Sequence, residues 1–133
     1  MEIDPVFLAE KINALRADGY VVVPGVLTPD TCDGHINKIW DWLRDVSPAI
    51  RRDDPATWSD ASGNWPESVK GIFQHYGVGH TQVMWDVRSE PNVIGVFERL
   101  WGTNELLVSF DGLNVMRPPK YAGVDVTGYR YNM

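Results

Sequence analysis

The chain has 133 residues, 44% of them hydrophobic and 23% charged, which suits a single folded domain over residues 1–133. Its net charge of -6 argues against a nucleic-acid-binding surface, because such surfaces are built from clustered lysine and arginine. The single cysteine cannot form an internal disulfide, and no apolar run is long enough to span a bilayer. The first residues lack the pattern of a secretory signal, so we expect a cytoplasmic protein without a membrane span.

Residues 1–48 are predicted to form a helix, a strand and a second helix. Apolar residues recur every three or four positions from Asp4 to Ala17, which predicts an amphipathic helix with proline in its first turn. The β-branched run Tyr20–Val23 follows and is stopped by Pro24. This pattern indicates a short buried strand that leads into a turn.

The second helix is predicted to begin after Thr28, whose hydroxyl can cap its first turn, and to end before Pro48. His35 and Cys32 lie within this helix. We interpret His35 as a packing or solvent-facing residue rather than a metal ligand. Cys32 is interpreted as a small half-buried residue, because no cationic residue flanks it in the sequence.

Residues 49–74 are predicted to form a long loop, since they are rich in Pro, Gly, Ser and Asp. Loops of this length are usually functional or disordered. We expect Trp58 and Trp65 to anchor the loop against the core. Two interpretations stay open: a lid over a substrate pocket, or a surface segment held in place by two indole rings.

Residues 75–119 are predicted to contain two helices and two strands. The predicted elements are the helices Thr81–Ser89 and Pro91–Trp101 and the strands Glu105–Phe110 and Leu113–Met116. Gly102 is positioned to end the second helix. Asp111 and Gly112 between the two strands favour a two-residue hairpin turn, although a bulge within one continuing strand is the alternative.

The histidines lack the spacing of a non-haem iron site. Such a site needs two imidazoles and one carboxylate, and its usual sequence trace is His-x-Asp or His-x-Glu with a distant histidine. At the second position after His35, His75 and His80 stand Asn, Gly and Gln. We therefore predict no metal ligand and no catalytic residue in this chain. His80 and Asp86 could form a histidine–carboxylate pair, which we interpret as structural.

Two stretches carry a resemblance to a known family. They are DGYVVVPGVL at 18–27 and WDVRSEPNVIGVFERLWGTNELLVSFDGLNVMRPP at 85–119. Together with the order of the predicted elements, they resemble the N-terminal half of phytanoyl-CoA dioxygenase-like proteins, which are Fe(II)/2-oxoglutarate-dependent oxygenases. The resemblance covers roughly residues 5–119 of the chain.

The resemblance implies a fold and a set of cofactors. The family fold is a double-stranded β-helix, or jelly roll, preceded by helices. We therefore expect an α+β chain, with N-terminal helices packed on an incomplete antiparallel sheet that resembles part of this barrel. Fe(II) and 2-oxoglutarate are implied for the family, but their ligands follow the matched region, so we expect this chain alone not to bind them.

Residues 120–133 are interpreted as an unrelated or truncated tail. The family would place its His-x-Asp about where this chain has Gly123-Val124-Asp125. Glycine offers no ligand atom at the histidine position, and one carboxylate cannot replace two imidazoles.

The resemblance also implies three polar residues that line a pocket: Ser109, Asn114 and Arg117. Side chains alternate between the two faces of a strand, and the matched segment makes these three inward positions near the cosubstrate or substrate. The alternative for each is a hydrogen bond within a strand or a solvent-facing side chain.

Three functional interpretations follow. The first is a truncated family member, inactive alone, whose full-length relatives hydroxylate a small or lipid-like substrate with Fe(II), O2 and 2-oxoglutarate. The second is a noncatalytic folded module that associates with itself or with a partner chain through exposed strand edges. The third is that a following segment supplies the iron ligands.

Overall fold

The computed structural model of the chain describes residues 4–128 and has an α+β fold, as predicted. Its helices and strands are α1 (Pro5–Asp18), α2 (Pro29–Val46), β1 (Ile72–Phe73), α3 (Gln82–Arg88), α4 (Pro91–Trp101), β2 (Leu113–Asn114), β3 (Lys120–Tyr121) and β4 (Val124–Asp125). Short 3-10 helices are formed by Pro55–Trp58, Asp60–Ser62 and Val78–His80. No helix in this described part combines the length and the apolar character needed to cross a lipid bilayer.

The predicted helices are confirmed. They could be predicted because their boundaries depend on local signals. The Asp4 carboxylate accepts a hydrogen bond from the backbone amide of Val6 at 2.9 Å and caps α1. The Thr28 hydroxyl accepts from the amide of Thr31 at 3.2 Å and caps α2 as predicted. Gly102 ends α4 in the left-handed conformation, with a φ of 69°, which glycine adopts without strain.

The described chain divides into two compact units, and the first contains residues 4–34 and 85–109. In this unit α1 packs against α4. Leu8 and Ile12 of α1 are buried. The side-chain amide of Asn92 donates a hydrogen bond to the carbonyl oxygen of Val26 at 3.1 Å, which links the start of α4 to the segment before α2.

The second unit contains residues 35–84 and 110–128, and its core has two clusters of buried side chains. The clusters are Trp42, Leu43, Phe73 and Val78, and Ile50, Trp58 and Val126. Trp40 and Trp65 pack against both clusters and join them into one core. The prediction that Trp58 and Trp65 anchor the long loop is therefore confirmed.

Two predicted strands are wrong. Tyr20–Val23 and Glu105–Phe110 are not strands, and neither has a neighbouring strand among the described residues. Tyr20 is 74% exposed and Leu107 is 100% exposed. Strand propensity reflects packing of a side chain on a sheet, and these two segments have no sheet to pack on.

The predicted hairpin at Asp111 and Gly112 is also wrong, as is the bulged alternative. β2 pairs antiparallel with β1, which places Phe73 opposite Leu113. β1 lies within the predicted long loop, 49–74. The pairing therefore joins segments that are distant in the sequence instead of neighbours.

Part of the segment predicted to be a tail is ordered. β3 and β4 form an antiparallel hairpin in which Lys120 lies opposite Asp125. Val126, directly after this hairpin, is completely buried in the core of the second unit. Residues 129–133 of the predicted tail lie outside the described residues.

Candidate functional site

A cavity of about 660 Å³ lies beside α4 in the first unit, and we call it the α4 groove. Its apolar lining is Val93, Ile94, Phe97, Trp101, Leu106, Leu107 and Val108, and its polar lining is Arg88, Thr103, Asn104, Glu105 and Ser109. The four apolar residues of α4 recur at helical spacing and form one face. A largely apolar cavity of this size with a few polar groups is typical of ligand sites.

The apolar side chains of the α4 groove are unusually exposed. Leu107 is 100% exposed, Trp101 68% and Phe97 48%. Single exposed apolar residues are ordinary, but several on one surface mark a place where a ligand or another protein binds. The α4 groove is therefore a candidate functional surface.

Arg117 lies in the second unit and is buried at the centre of a polar cluster, which we call the Arg117 cluster. Its Nη1 donates a hydrogen bond to the carbonyl oxygen of Trp58 at 2.6 Å, and its Nη2 donates to Oδ1 of Asp60 at 2.7 Å. The guanidinium carbon lies 4.2 Å from the centre of the Trp65 ring. Oδ2 of Asp60 also accepts from the backbone amide of Gly128 at 2.9 Å. The Arg117 cluster thus joins the loop after α2 to the end of the described chain.

Asp60 compensates the charge of Arg117 within this cluster. The pKa of the Asp60 carboxyl is lowered below its ordinary value. Burial alone would raise that pKa, but the hydrogen bond from Gly128 and the hydrogen bond and charge of Arg117 lower it by more. A carboxylate with a depressed pKa stabilises the folded state at pH values above its unfolded pKa. This stabilisation is lost as the pH falls through the folded pKa.

We therefore expect the free energy of unfolding to decrease as the pH falls below 3.8, the ordinary pKa of the Asp60 carboxyl. The change is modest, because the Asp60 side chain is 45% exposed and solvent screens its charge. Denaturant unfolding at pH 7 and at pH 3 measures it. The variant Asp60→Asn should be less stable at pH 7 and should lose less stability on acidification. If acidification from pH 7 to pH 3 lowered the free energy of unfolding of Asp60→Asn as much as that of the wild type, this role of Asp60 would be contradicted.

The three predicted pocket residues occupy different environments. Ser109 belongs to the first unit and lines the α4 groove. Asn114 belongs to the second unit, is exposed on β2 and lies opposite Ile72. Arg117, also in the second unit, is directed at Trp58 and Asp60. The role of these residues as pocket lining stays a prediction.

Two of the histidines are exposed and lie beside aromatic rings. His80 stacks on Phe110 with 4.9 Å between ring centres, and His75 lies edge-on to Tyr76 at 6.4 Å. His35 is half-buried on α2, in keeping with a packing role. The proposed partner of His80, Asp86, belongs to the other unit, so that pair stays a prediction.

Residues 4–128 do not fit a non-haem iron centre. No three His, Cys, Asp or Glu side chains among them are placed so that they could hold a metal ion. In Gly123-Val124-Asp125, Gly123 lies in the β3–β4 turn with a φ of 82°, and Val124 and Asp125 form β4.

Sequence reasoning missed Asp60 and the Trp58 carbonyl as partners of Arg117. Asp60 is one of several acidic residues in a polar loop, and 57 positions separate it from Arg117. No local pattern indicates such a pairing. The one available signal was Trp65, whose predicted anchoring role places an aromatic ring beside the core, where a guanidinium can stack on it.

Two curated proteins are similar to the chain. One is named "Ava biosynthesis cluster protein O", from Aspergillus versicolor, and is 32% identical over 106 residues, which are 80% of this chain and 34% of that protein. The other is named "Putative phytanoyl-CoA dioxygenase", from Dictyostelium discoideum, and is 24% identical over 102 residues, 75% of this chain and 29% of that protein. The chain thus spans about a third of the length of these relatives.

The resemblance to the phytanoyl-CoA dioxygenase-like family is confirmed by the second of these relatives. No family model matches the chain. No solved structure matches it either.

Proposed function

We propose that this chain is part of a phytanoyl-CoA dioxygenase-like protein, in which it supports a jelly-roll oxygenase core. The observation that carries the proposal is the similarity to the Dictyostelium discoideum relative over 75% of the chain. The whole protein would hydroxylate a small or lipid-like substrate with Fe(II), O2 and 2-oxoglutarate. That the protein is cytoplasmic and that this chain is inactive alone belong to the same proposal.

Within this proposal the α4 groove contributes apolar lining to the substrate pocket, and Ser109 is one of its polar lining residues. Asn114 belongs to the second unit, is exposed on β2 and is a separate candidate for polar lining. Arg117 acts indirectly, since its guanidinium is engaged with Trp58 and Asp60. It would hold the second unit together instead of binding the cosubstrate.

The metal centre of the whole protein would be built from residues outside 4–128. When bound, Fe(II) with 2-oxoglutarate would supply the oxidising chemistry. The described residues would exclude water and shape the space for the apolar part of a substrate.

Anaerobic calorimetric titration of the purified chain with Fe(II), with and without 2-oxoglutarate, tests this assignment. We expect no stoichiometric complex, because an iron site of this class needs two imidazoles and a carboxylate on one face of the metal. A one-to-one complex that 2-oxoglutarate tightens would contradict the proposal. The variant His80→Ala would then show whether the chain supplies an imidazole ligand.

A second candidate function is a noncatalytic module that associates with itself. The observation in its favour is the exposed apolar surface of the α4 groove, where Leu107 and Trp101 are 100% and 68% exposed. Strand edges are a weaker basis for association than predicted, since each described strand has two residues. The α4 groove offers a longer surface than these edges.

A further inference from the structure

We propose that a cavity lined by arginines in the second unit binds the phosphate group of a small molecule. The cavity has a volume of about 620 Å³ and lies between α2 and residues 50–53, and we call it the arginine cavity. Its charged lining residues are three arginines and two aspartates, namely Arg44, Arg51, Arg52, Asp41 and Asp53. The lining is therefore net positive in a chain whose net charge is -6. The arginine cavity is separate from the α4 groove and goes beyond the proposed function.

The turn after α2 brings the three arginines to one cavity. The backbone amide of Ile50 donates a hydrogen bond to the carbonyl oxygen of Ser47 at 3.0 Å, which closes this turn. Ile50 is 1% exposed and belongs to the core of the second unit. The amide of Arg51 donates to the Thr57 hydroxyl at 2.9 Å. The backbone that carries Arg51 and Arg52 is therefore fixed by the fold, and their positions beside α2 are preorganised.

Arg52 carries a positive charge that is held by neutral groups. Its Nη1 donates a hydrogen bond to Oδ1 of Asn37 at 2.6 Å, and its guanidinium carbon lies 5.8 Å from the centre of the Trp40 ring. No carboxylate of residues 4–128 forms an ion pair with it. A guanidinium has five N–H donors in a planar fork that matches the oxygens of a phosphate, and Asn37 accepts from one of them. Arg52 is therefore the central residue of the proposed site.

Arg44 and Arg51 can contribute to the same site although each has a carboxylate partner. Nη2 of Arg44 lies 2.5 Å from Oδ1 of Asp41, and Arg51 pairs with Asp54. The two arginine side chains are 63% and 65% exposed. Ion pairs between exposed side chains are weak. A phosphate can therefore share these guanidinium groups with the carboxylates.

The charges of the arginine cavity favour a small ligand. A nucleic acid is bound by an extended basic surface, whereas Asp41 and Asp53 interrupt the positive charge here. A phosphate offers three oxygens to the guanidinium groups and a carboxylate offers two. The three arginines therefore suit one or two phosphate groups better than a carboxylate.

Calorimetric titration of the purified chain with inorganic pyrophosphate tests the proposal, with sodium chloride of equal ionic strength as the reference. We expect a saturable one-to-one complex with pyrophosphate and weaker binding of malonate, a dicarboxylate. Arg52→Gln should raise the dissociation constant for pyrophosphate about tenfold or more, because charged hydrogen bonds to the ligand are lost. Its circular dichroism should match that of the wild type, since Arg52 is exposed.

Arg16→Gln is the matched control. Arg16 is exposed on α1 in the first unit, and its replacement changes the net charge of the chain by the same amount. This variant should bind pyrophosphate as the wild type does. Absence of saturable binding to the wild type would overturn the proposal, as would equal weakening by the two variants. Malonate binding as tight as that of pyrophosphate would overturn the preference for phosphate.

Asp41→Asn tests the site with an effect of opposite sign. The substitution removes a negative charge from the lining and frees Arg44 from its carboxylate partner. The dissociation constant for pyrophosphate should fall about threefold or more. Asp45→Asn is the control, because Asp45 is exposed on α2 but lies outside the lining, and it should have the smaller effect. Unchanged or weaker binding by Asp41→Asn would overturn the assignment of the site to this cavity.

Discussion

Replacing Phe73 by alanine is expected to lower the free energy of unfolding by about 3–5 kcal/mol. The ring is completely buried in the second unit. It meets Trp42 edge-on at 5.2 Å and Trp65 at 5.7 Å between ring centres. Its loss leaves a cavity between these two indoles and also weakens the β1–β2 pairing. This is a large share of the stability of a small domain, since such domains unfold with about 5–15 kcal/mol.

Denaturant unfolding followed by tryptophan fluorescence measures this loss. Phe110→Ala is the matched control, because Phe110 belongs to the same unit but is 57% exposed. Its ring stacks on His80, and its loss should cost no more than about 1.5 kcal/mol. Equal losses from the two variants would show that Phe73 is not at the centre of the core.

Gly112→Ala is expected to destabilise the second unit by about 3 kcal/mol. A Cβ atom on Gly112 would overlap the carbonyl oxygen of Phe73 and lie 3.1 Å from its carbonyl carbon. Backbone atoms cannot turn aside as a flexible side chain can. The segment before β2 would have to move away from β1, which disturbs the pairing of Phe73 with Leu113.

Gly34→Ala is the control for this substitution. Gly34 lies within α2, and a Cβ atom there would meet no atom within 4 Å. Alanine is the better helix former, so this variant should gain about 0.5–1 kcal/mol. The two glycine variants should therefore differ in the sign of their effect. Destabilisation by both would indicate that the close approach of Gly112 to β1 is not the cause.

The helices could be predicted from the sequence because their signals are local. Thr28 and Pro29 mark the start of α2, and Gly102 marks the end of α4. The strands could not be predicted in the same way. β2 pairs with Ile72–Phe73, two apolar residues in a polar loop, and a strand is defined by its partner as much as by its own composition.

The environments of the candidate site residues could be predicted only in part. Ser109 lies on the α4 groove, but the strand on which its predicted pocket role rested does not form, so that role stays a prediction. Arg117 was predicted as an inward polar residue, and it is buried. Its partner Asp60 depends on tertiary contact between distant segments, which composition and spacing do not encode.

The similarity to a dioxygenase relative and the placement of the metal-ligating side chains among residues 4–128 lead to different expectations for chemistry. Similarity over 75% of the chain implies a family that uses Fe(II) and 2-oxoglutarate. The described residues hold no cluster of metal-ligating side chains. A supporting role within a larger oxygenase satisfies both observations.

Conversion of 2-oxoglutarate to succinate by the purified chain, followed by proton NMR in the presence of Fe(II) and oxygen, tests this supporting role most directly. The proposed role predicts no succinate above the level formed by Fe(II) and 2-oxoglutarate without protein. Repeated turnover that a chelator abolishes would contradict it and would show that the chain builds an iron centre of its own.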